Sequence, residues 1–158
     1  MKKSCTSRVL ALAVILLSCF GLSGVSAATE GSVDPHAAYV RYHFQDKEMD
    51  FVFGSLLLGA SLNQGFEIGE AFYTAANIKD GDAASWQAEW IKTARLVESR
   101  GQESLNRGHK VSARQQFLRA SYYYRAALIS MHPADGRFKA TALKSRELLK
   151  TAGSFLEP

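Results

Sequence analysis

The chain has 158 residues, 47% hydrophobic and 22% charged, with a formal net charge of +4. That composition is ordinary for one globular domain and excludes a disordered or low-complexity chain. The basic balance points toward nucleic acid or an anionic membrane only if it belongs to the folded part of the chain.

It belongs largely to the start. Lys2, Lys3 and Arg8 precede an apolar run from Val9 to about Leu22, followed by Ser23-Gly24-Val25-Ser26-Ala27-Ala28. A basic start, a short apolar stretch and small residues before a cleavage point are the parts of a secretory signal peptide. The run is shorter than the roughly 18–20 apolar residues a membrane-spanning helix requires. The expected cut falls between Ala27 and Ala28, and the expected location is exported, periplasmic or secreted. An alternative is a bacterial lipobox, Leu16-Leu17-Ser18-Cys19, with lipid attached at Cys19. Residues 1–27 hold three of the 19 basic groups and none of the 15 acidic ones, so the remaining 131 residues carry +1. Both cysteines, Cys5 and Cys19, lie in the leader. The expected mature chain therefore has no disulfide, thiol nucleophile or cysteine-ligated metal.

Residues 28–48 are mixed and polar and read as an N-terminal arm, with Asp34-Pro35 as a turn. Tyr39, Tyr42 and Phe44 suggest that the arm packs onto something. Residues 49–158 read as one helical domain. Met49 to Leu62 is almost wholly apolar and fits a buried helix better than a membrane span, which leaves open what buries it. Phe66, Gly69, Phe72, Tyr73 and Ala76 lie on one face of a second helix. Asp82 is placed to cap a third, roughly Ala83 to Arg107, with Trp86, Trp90, Ala94, Val97, Gly101 and Leu105 on its inner stripe. Gly108 ends it. Ser112-Ala113-Arg114-Gln115 fits a capping box for a fourth helix. That helix buries Ala113, Phe117, Ala120, Tyr124, Ala127 and Met131. The last helix, about Phe138 to Ala152, turns Phe138, Ala142, Leu149 and Ala152 inward. Strand-like alternation is nearly absent, so the expected fold is all-α, about five helices in a hairpin or bundle arrangement.

No nucleophile elbow, zinc-protease helix or phosphate loop occurs. His36, His43, His109 and His132 meet no ligand spacing, and neither a metal site nor a cofactor is expected. Glu67 and Glu70 share a helix face, and Glu70 beside Phe72 and Tyr73 is the carboxylate to watch. Tyr122-Tyr123-Tyr124 between Arg119 and Arg125 suggests base stacking, but a charge of +1 gives no electrostatic footprint, so nucleic acid is not an expected partner. Neither is a membrane span expected in the mature chain. Gly101, Gly108, Ala113, Phe117 and Ala120 match the offsets of one tetratricopeptide hairpin, although the terminal proline offset falls on Arg125 and no second copy is visible.

A wider set of residues resembles a known family. Met49-Asp50-Phe51-Val52-Phe53 and Gly65-Phe66-Glu67-Ile68-Gly69-Glu70-Ala71-Phe72-Tyr73 come first. Asp80-Gly81-Asp82, Ser85-Trp86 and Glu89-Trp90 follow, then Gly108-His109, Val111-Ser112-Ala113-Arg114, Arg119-Ala120-Ser121 and Tyr123-Tyr124-Arg125-Ala126-Ala127. Together they resemble the helical N-terminal region of α/β-hydrolases similar to fermentation-respiration-switch-like esterases and dihydroxypseudooxynicotine hydrolase. The resemblance covers roughly residues 40–158. It implies a helical cap that packs on a hydrolase core and helps roof its active site, with Phe72, Tyr73 and Tyr124 as substrate-pocket wall. The family's serine, acid and histidine lie in a C-terminal domain that would begin about where this sequence stops. No catalytic residue is therefore assigned here, and activity by this chain alone is not expected. The implied partner is a separately encoded hydrolase core or another apolar protein surface. The alternative is a stand-alone, tetratricopeptide-like module for a protein or apolar ligand.

The leader makes a direct prediction. Protein recovered from the export fraction of a bacterial host should begin at Ala28 by intact mass, and an N-terminus at Met1 or a lipid-modified Cys19 would contradict cleavage there.

Overall fold

The computed structural model describes residues 40–156; the leader, Cys19, the cut at Ala27–Ala28 and arm residues 28–39 lie outside the described residues. Five helices account for the regular structure, with no strand among the described residues. They are α1 (Lys47–Ser61), α2 (Ile68–Ala75), α3 (Ala83–Asn106), α4 (Lys110–Ile129) and α5 (Phe138–Ser154). The protein is all-α, as the periodicity predicts.

The long helices α3 and α4 form an antiparallel hairpin, and α5 folds back on α4. Every residue of the α4 stripe from Ala113 to Met131 is buried, as are Trp86, Trp90, Ala94, Val97 and Gly101 of α3. Asp82 caps α3, its carboxylate accepting from the amides of Ala84 at 2.9 Å and Ser85 at 3.0 Å. The turn between α3 and α4 uses Gly108 at φ +79°, a backbone conformation that costs glycine least. Gly101 lets the hairpin close. A Cβ there would meet the Phe117 ring at 2.8 Å. The α4–α5 crossing is equally close: Ser121 Oγ donates to the Ser145 carbonyl at 2.7 Å and Ser145 Oγ to the Ser121 carbonyl at 2.9 Å.

Three local expectations are corrected. Helix α4 starts at Lys110 with His109 at the cap position, and no side chain caps it. Ser112 therefore lies inside the helix, because the tight Gly108 turn brings the chain into helical geometry before the expected box. In α5 the buried residues are Thr141, Leu148 and Ala152, while Leu149 is exposed. With no large apolar residue to mark the phase at Thr141, the sequence stripe rests on the wrong leucine of a Leu-Leu pair. Tyr123, which the stripe leaves on the free side of α4, is fully buried because α4 packs on two faces.

The segment before α1 is held by carboxylates. Asp50, itself fully buried, accepts from the amides of Tyr42 (2.9 Å), His43 (2.7 Å) and Phe44 (2.8 Å). Asp80 accepts from the next two, Gln45 at 2.6 Å and Asp46 at 2.8 Å. Asp46 in turn caps α1 through the Met49 amide at 2.8 Å. This places Phe44 in the core, edge-on to Phe53 at 5.7 Å and tilted on Trp86 at 6.0 Å. The Gln45 and Asp46 amides hold the Asp80 carboxyl below the usual aspartate range.

The packing of two glycines can be told apart by mutation. Gly101→Leu should destabilise the protein by roughly 1–3 kcal/mol through overpacking against Phe117. Gly59 has open space where a methyl group would stand, so Gly59→Ala should gain about 0.5–1 kcal/mol. Urea unfolding of the two variants checks both signs.

Candidate functional site

The polar centre of the molecule forms where α2 meets the hairpin. Glu67 caps α2, its carboxylate accepting from the amides of Glu70 at 2.6 Å and Gly69 at 3.1 Å. Those two amides hold its pKa below the ordinary value. The buried Tyr123 of α4 reaches the same place. Its hydroxyl accepts from the Glu67 amide at 3.1 Å and donates to Glu70 Oε2 at 2.7 Å. Burial first, and the Glu70 carboxylate second among the raising causes, push the Tyr123 phenol well above its normal range.

Two guanidiniums complete the cluster. Arg119 Nε lies 3.2 Å from Glu70 Oε2, and an Arg100 guanidinium nitrogen lies 3.6 Å from Oε1. The Arg119 contact is an ion pair without an aligned hydrogen bond. Glu70 thus ties α2 to α3 and α4 at once. Beside it opens a groove of about 380 Å³, lined by Glu67, Gly69, Glu70, Tyr73, Thr93, Leu96, Val97 and Arg100. Its lining combines a guanidinium and two carboxylates with aromatic and apolar side chains.

Of the three wall residues expected from the resemblance, Tyr73 lines this groove and is 68% exposed. Phe72 turns instead toward the N-terminal aromatic cluster, edge-on to Phe53 at 5.3 Å and to His43 at 6.5 Å. Tyr124 is buried and donates to Glu98 Oε2 at 2.9 Å. Glu98 also holds Lys144 of α5 at 2.9 Å. The three residues therefore occupy three neighbourhoods. Burial, with Glu98 acting in the same direction, pushes the Tyr124 pKa up to about 12.

The described histidines are dispersed as well, and His36 lies outside the described residues. His43 packs on Phe44, His109 opens α4, and His132 Nδ1 accepts from the Ala134 amide at 3.1 Å. No cluster of His, Cys, Asp and Glu suited to a metal ion gathers among the described residues. Sequence reasoning singles out Glu70 but misses its partners Tyr123, Arg100 and Arg119. The available signal is an Arg119 and a Tyr123 four residues apart on one helix, beside a tyrosine stripe too wide for one face.

Comparison with known proteins bears on what these helices belong to. No family model matches the chain. The chain is 37% identical over 100 residues to a hydrolyase of Penicillium oxalicum, a match covering 63% of this chain and 24% of the relative. It is 36% identical over 91 residues to the 20-hydroxy-prefusarin hydrolase of Gibberella moniliformis, covering 56% of this chain and 22% of that one. An α/β hydrolase of Xenoacremonium sinensis matches at 33% over 102 residues, covering 64% and 24%. This helical chain is related to α/β hydrolases. It spans about a quarter of the length of the curated relatives it matches.

The two buried tyrosines give separable predictions. Tyr123→Phe leaves the Glu67 amide and Glu70 without a shared hydroxyl and should cost about 1–3 kcal/mol in denaturant unfolding. The raised Tyr124 pKa means that the folded state keeps a proton which the unfolded chain loses above the ordinary tyrosine value of 10.0. That stabilisation is fully present below pH 10 and fades as pH climbs toward 12. Tyr124→Phe should therefore flatten the alkaline fall of stability between those two values.

Proposed function

We propose that this protein is an exported helical segment equivalent to the N-terminal, cap-forming part of a serine α/β-hydrolase of esterase or C–C hydrolase type. In this reading the helices support a catalytic site and supply no catalytic residue of their own. The observation that carries this reading is the alignment: 37% identity over 100 residues, but only 24% of the relative. Identity at that level in an all-helical chain supports a common helical part and transfers no catalytic residue. In this reading the Glu70–Tyr123–Arg119 cluster holds α2 in place, and Tyr73 is the wall residue that faces open space.

One observation favours a second reading, a stand-alone helical binding module. The α3–α4 hairpin closes through Gly101 against Phe117, as the tetratricopeptide offsets imply. An isolated hairpin buries only one layer, and arrays of this kind need about three stacked repeats. The cap reading is therefore preferred.

The test is the purified full chain against an activated ester. No turnover above that of buffer is expected. Hydrolysis that a serine-directed phosphonate abolishes, traced by mass to a serine of this chain, would overturn the non-catalytic reading.

A further inference from the structure

Among the described residues, the outward face of α1 carries an apolar stripe that its surroundings do not explain. Phe51, Ser55, Leu58 and Leu62 recur at steps of four, three and four residues and so share one side of the helix. Gly59 adjoins them with open space around it. Phe51 is 63% exposed, Leu58 58% and Leu62 87%. No charged residue occurs from Phe51 to Phe66. A helix face left to water carries polar and charged side chains, and a contiguous apolar patch marks an interaction surface. The stripe runs for about 16 Å at 1.5 Å per residue.

The inner side of the same helix is fixed. Phe53, Leu57 and Ala60 are in the core, and the buried Asp50 holds the preceding segment across the first turn. The helix cannot roll the stripe inward without losing those contacts. The exposed side is thus a property of the fold.

Residues 28–39 offer little apolar surface to cover it. Between the expected cut and the described residues, only Val33 and Tyr39 are large apolar or aromatic residues, among Glu30, Asp34, Pro35 and His36. The relatives supply a candidate: with 22–24% of their length matched, most of each hydrolase lies outside the shared helices. Resting on the cap reading above, we infer that the Phe51–Leu58–Leu62 face of α1 is the seat of an α/β-hydrolase catalytic domain. That domain lays uncharged, apolar surface along the stripe, and Gly59 lets it approach the helix backbone closely.

The experiment replaces the segment of the 20-hydroxy-prefusarin hydrolase equivalent to residues 40–156 by those residues of this chain and follows consumption of 20-hydroxy-prefusarin. It is run with the native face, with L58K/L62K, and with V111K as an equally exposed control on α4. The expected result is turnover and one unfolding transition with the native face and V111K, and at least a tenfold loss in L58K/L62K. Equal turnover in all three overturns the seat while leaving the cap reading intact. A folded exchange protein without turnover in any of them overturns the cap reading, and the seat with it. In parallel, the full chain is weighed by sedimentation and mixed with neutral phosphatidylcholine vesicles. Dimerisation or vesicle binding that L58K/L62K abolishes, alongside exchange proteins indifferent to the same change, would assign the face to a second copy or to lipid and overturn the proposal.

Discussion

The structure depends on five consecutive amides and two carboxylates. From Tyr42 to Asp46 every backbone N–H is accepted by Asp50 or Asp80, which lie on α1 and in the turn before α3. This segment has no ladder to satisfy its donors, and leaving the buried Phe44 N–H unpaired would cost about 1–3 kcal/mol, whereas the exposed Gln45 and Asp46 amides could turn to water. The aspartates meet that demand and thereby set the position of α1. Helices α1 and α2 touch each other only lightly, so α1 is located by this segment and by the aromatic rings beneath it, Phe44, Phe53, Phe72 and Trp86. A carboxyl group buried with three amide donors is well paired by the protein, which explains how Asp50 is buried at the start of the uncharged run from Phe51 to Phe66.

From that anchoring the rest follows outward. Trp86 supports Phe44 and donates its indole N–H to the Ala126 carbonyl at 2.9 Å, which joins the N-terminal segment to α4. Trp90 and Phe66 form a triangle of rings with Tyr123, at 5.5 and 4.9 Å from it and 5.3 Å from each other, and fix its hydroxyl toward Glu70. Aromatic contact and hydrogen bond thus act in series, the rings fixing an angle that the polar groups then use. A second polar link, Glu98 with Tyr124 and Lys144, does for α5 what Glu70 does for α2. Among their contacts, α2 and α5 are each tied to the α3–α4 hairpin by a carboxylate.

How much of this the sequence discloses depends on the range of the interaction. The stripes of α3 and α4 are legible because six residues each repeat at helical spacing and tertiary packing agrees with them. The Asp82 cap is legible because its partners are two and three residues away. Asp80 gives no comparable sign, since the amides it holds lie 34 and 35 residues before it. Asp50 is visible as a lone acid in an apolar run, yet its partners are main-chain groups that any sequence possesses. The phase of α5 fails for a different reason: small and polar residues pack against Ser121, so hydrophobicity carries little information there. At the candidate site, Glu70 can be noticed from its own helix, whereas the tyrosine that fixes it is 53 residues away.

The residues that carry the hydrolase resemblance acquire a definite meaning in this light. Asp50 and Asp80 hold the N-terminal segment; Gly65 gives room for the Tyr122 ring; Glu70, Arg119 and Tyr123 lock α2; Trp86 and Trp90 fill the core. Their shared feature is long-range placement of helices. Relatedness read from such positions speaks for a common arrangement of this segment and is silent on the reaction, because packing residues persist wherever the same surfaces must be built. Among the described residues, the outer side of α1 is a surface that these positions hold fixed but do not cover. A helix whose inner face is pinned by a buried aspartate and whose outer face shows phenylalanine and two leucines is prepared for contact on both sides. On the proposed reading, a segment seated on a larger hydrolase turns that second apolar side into core, where a free-standing bundle would bear its cost in solubility.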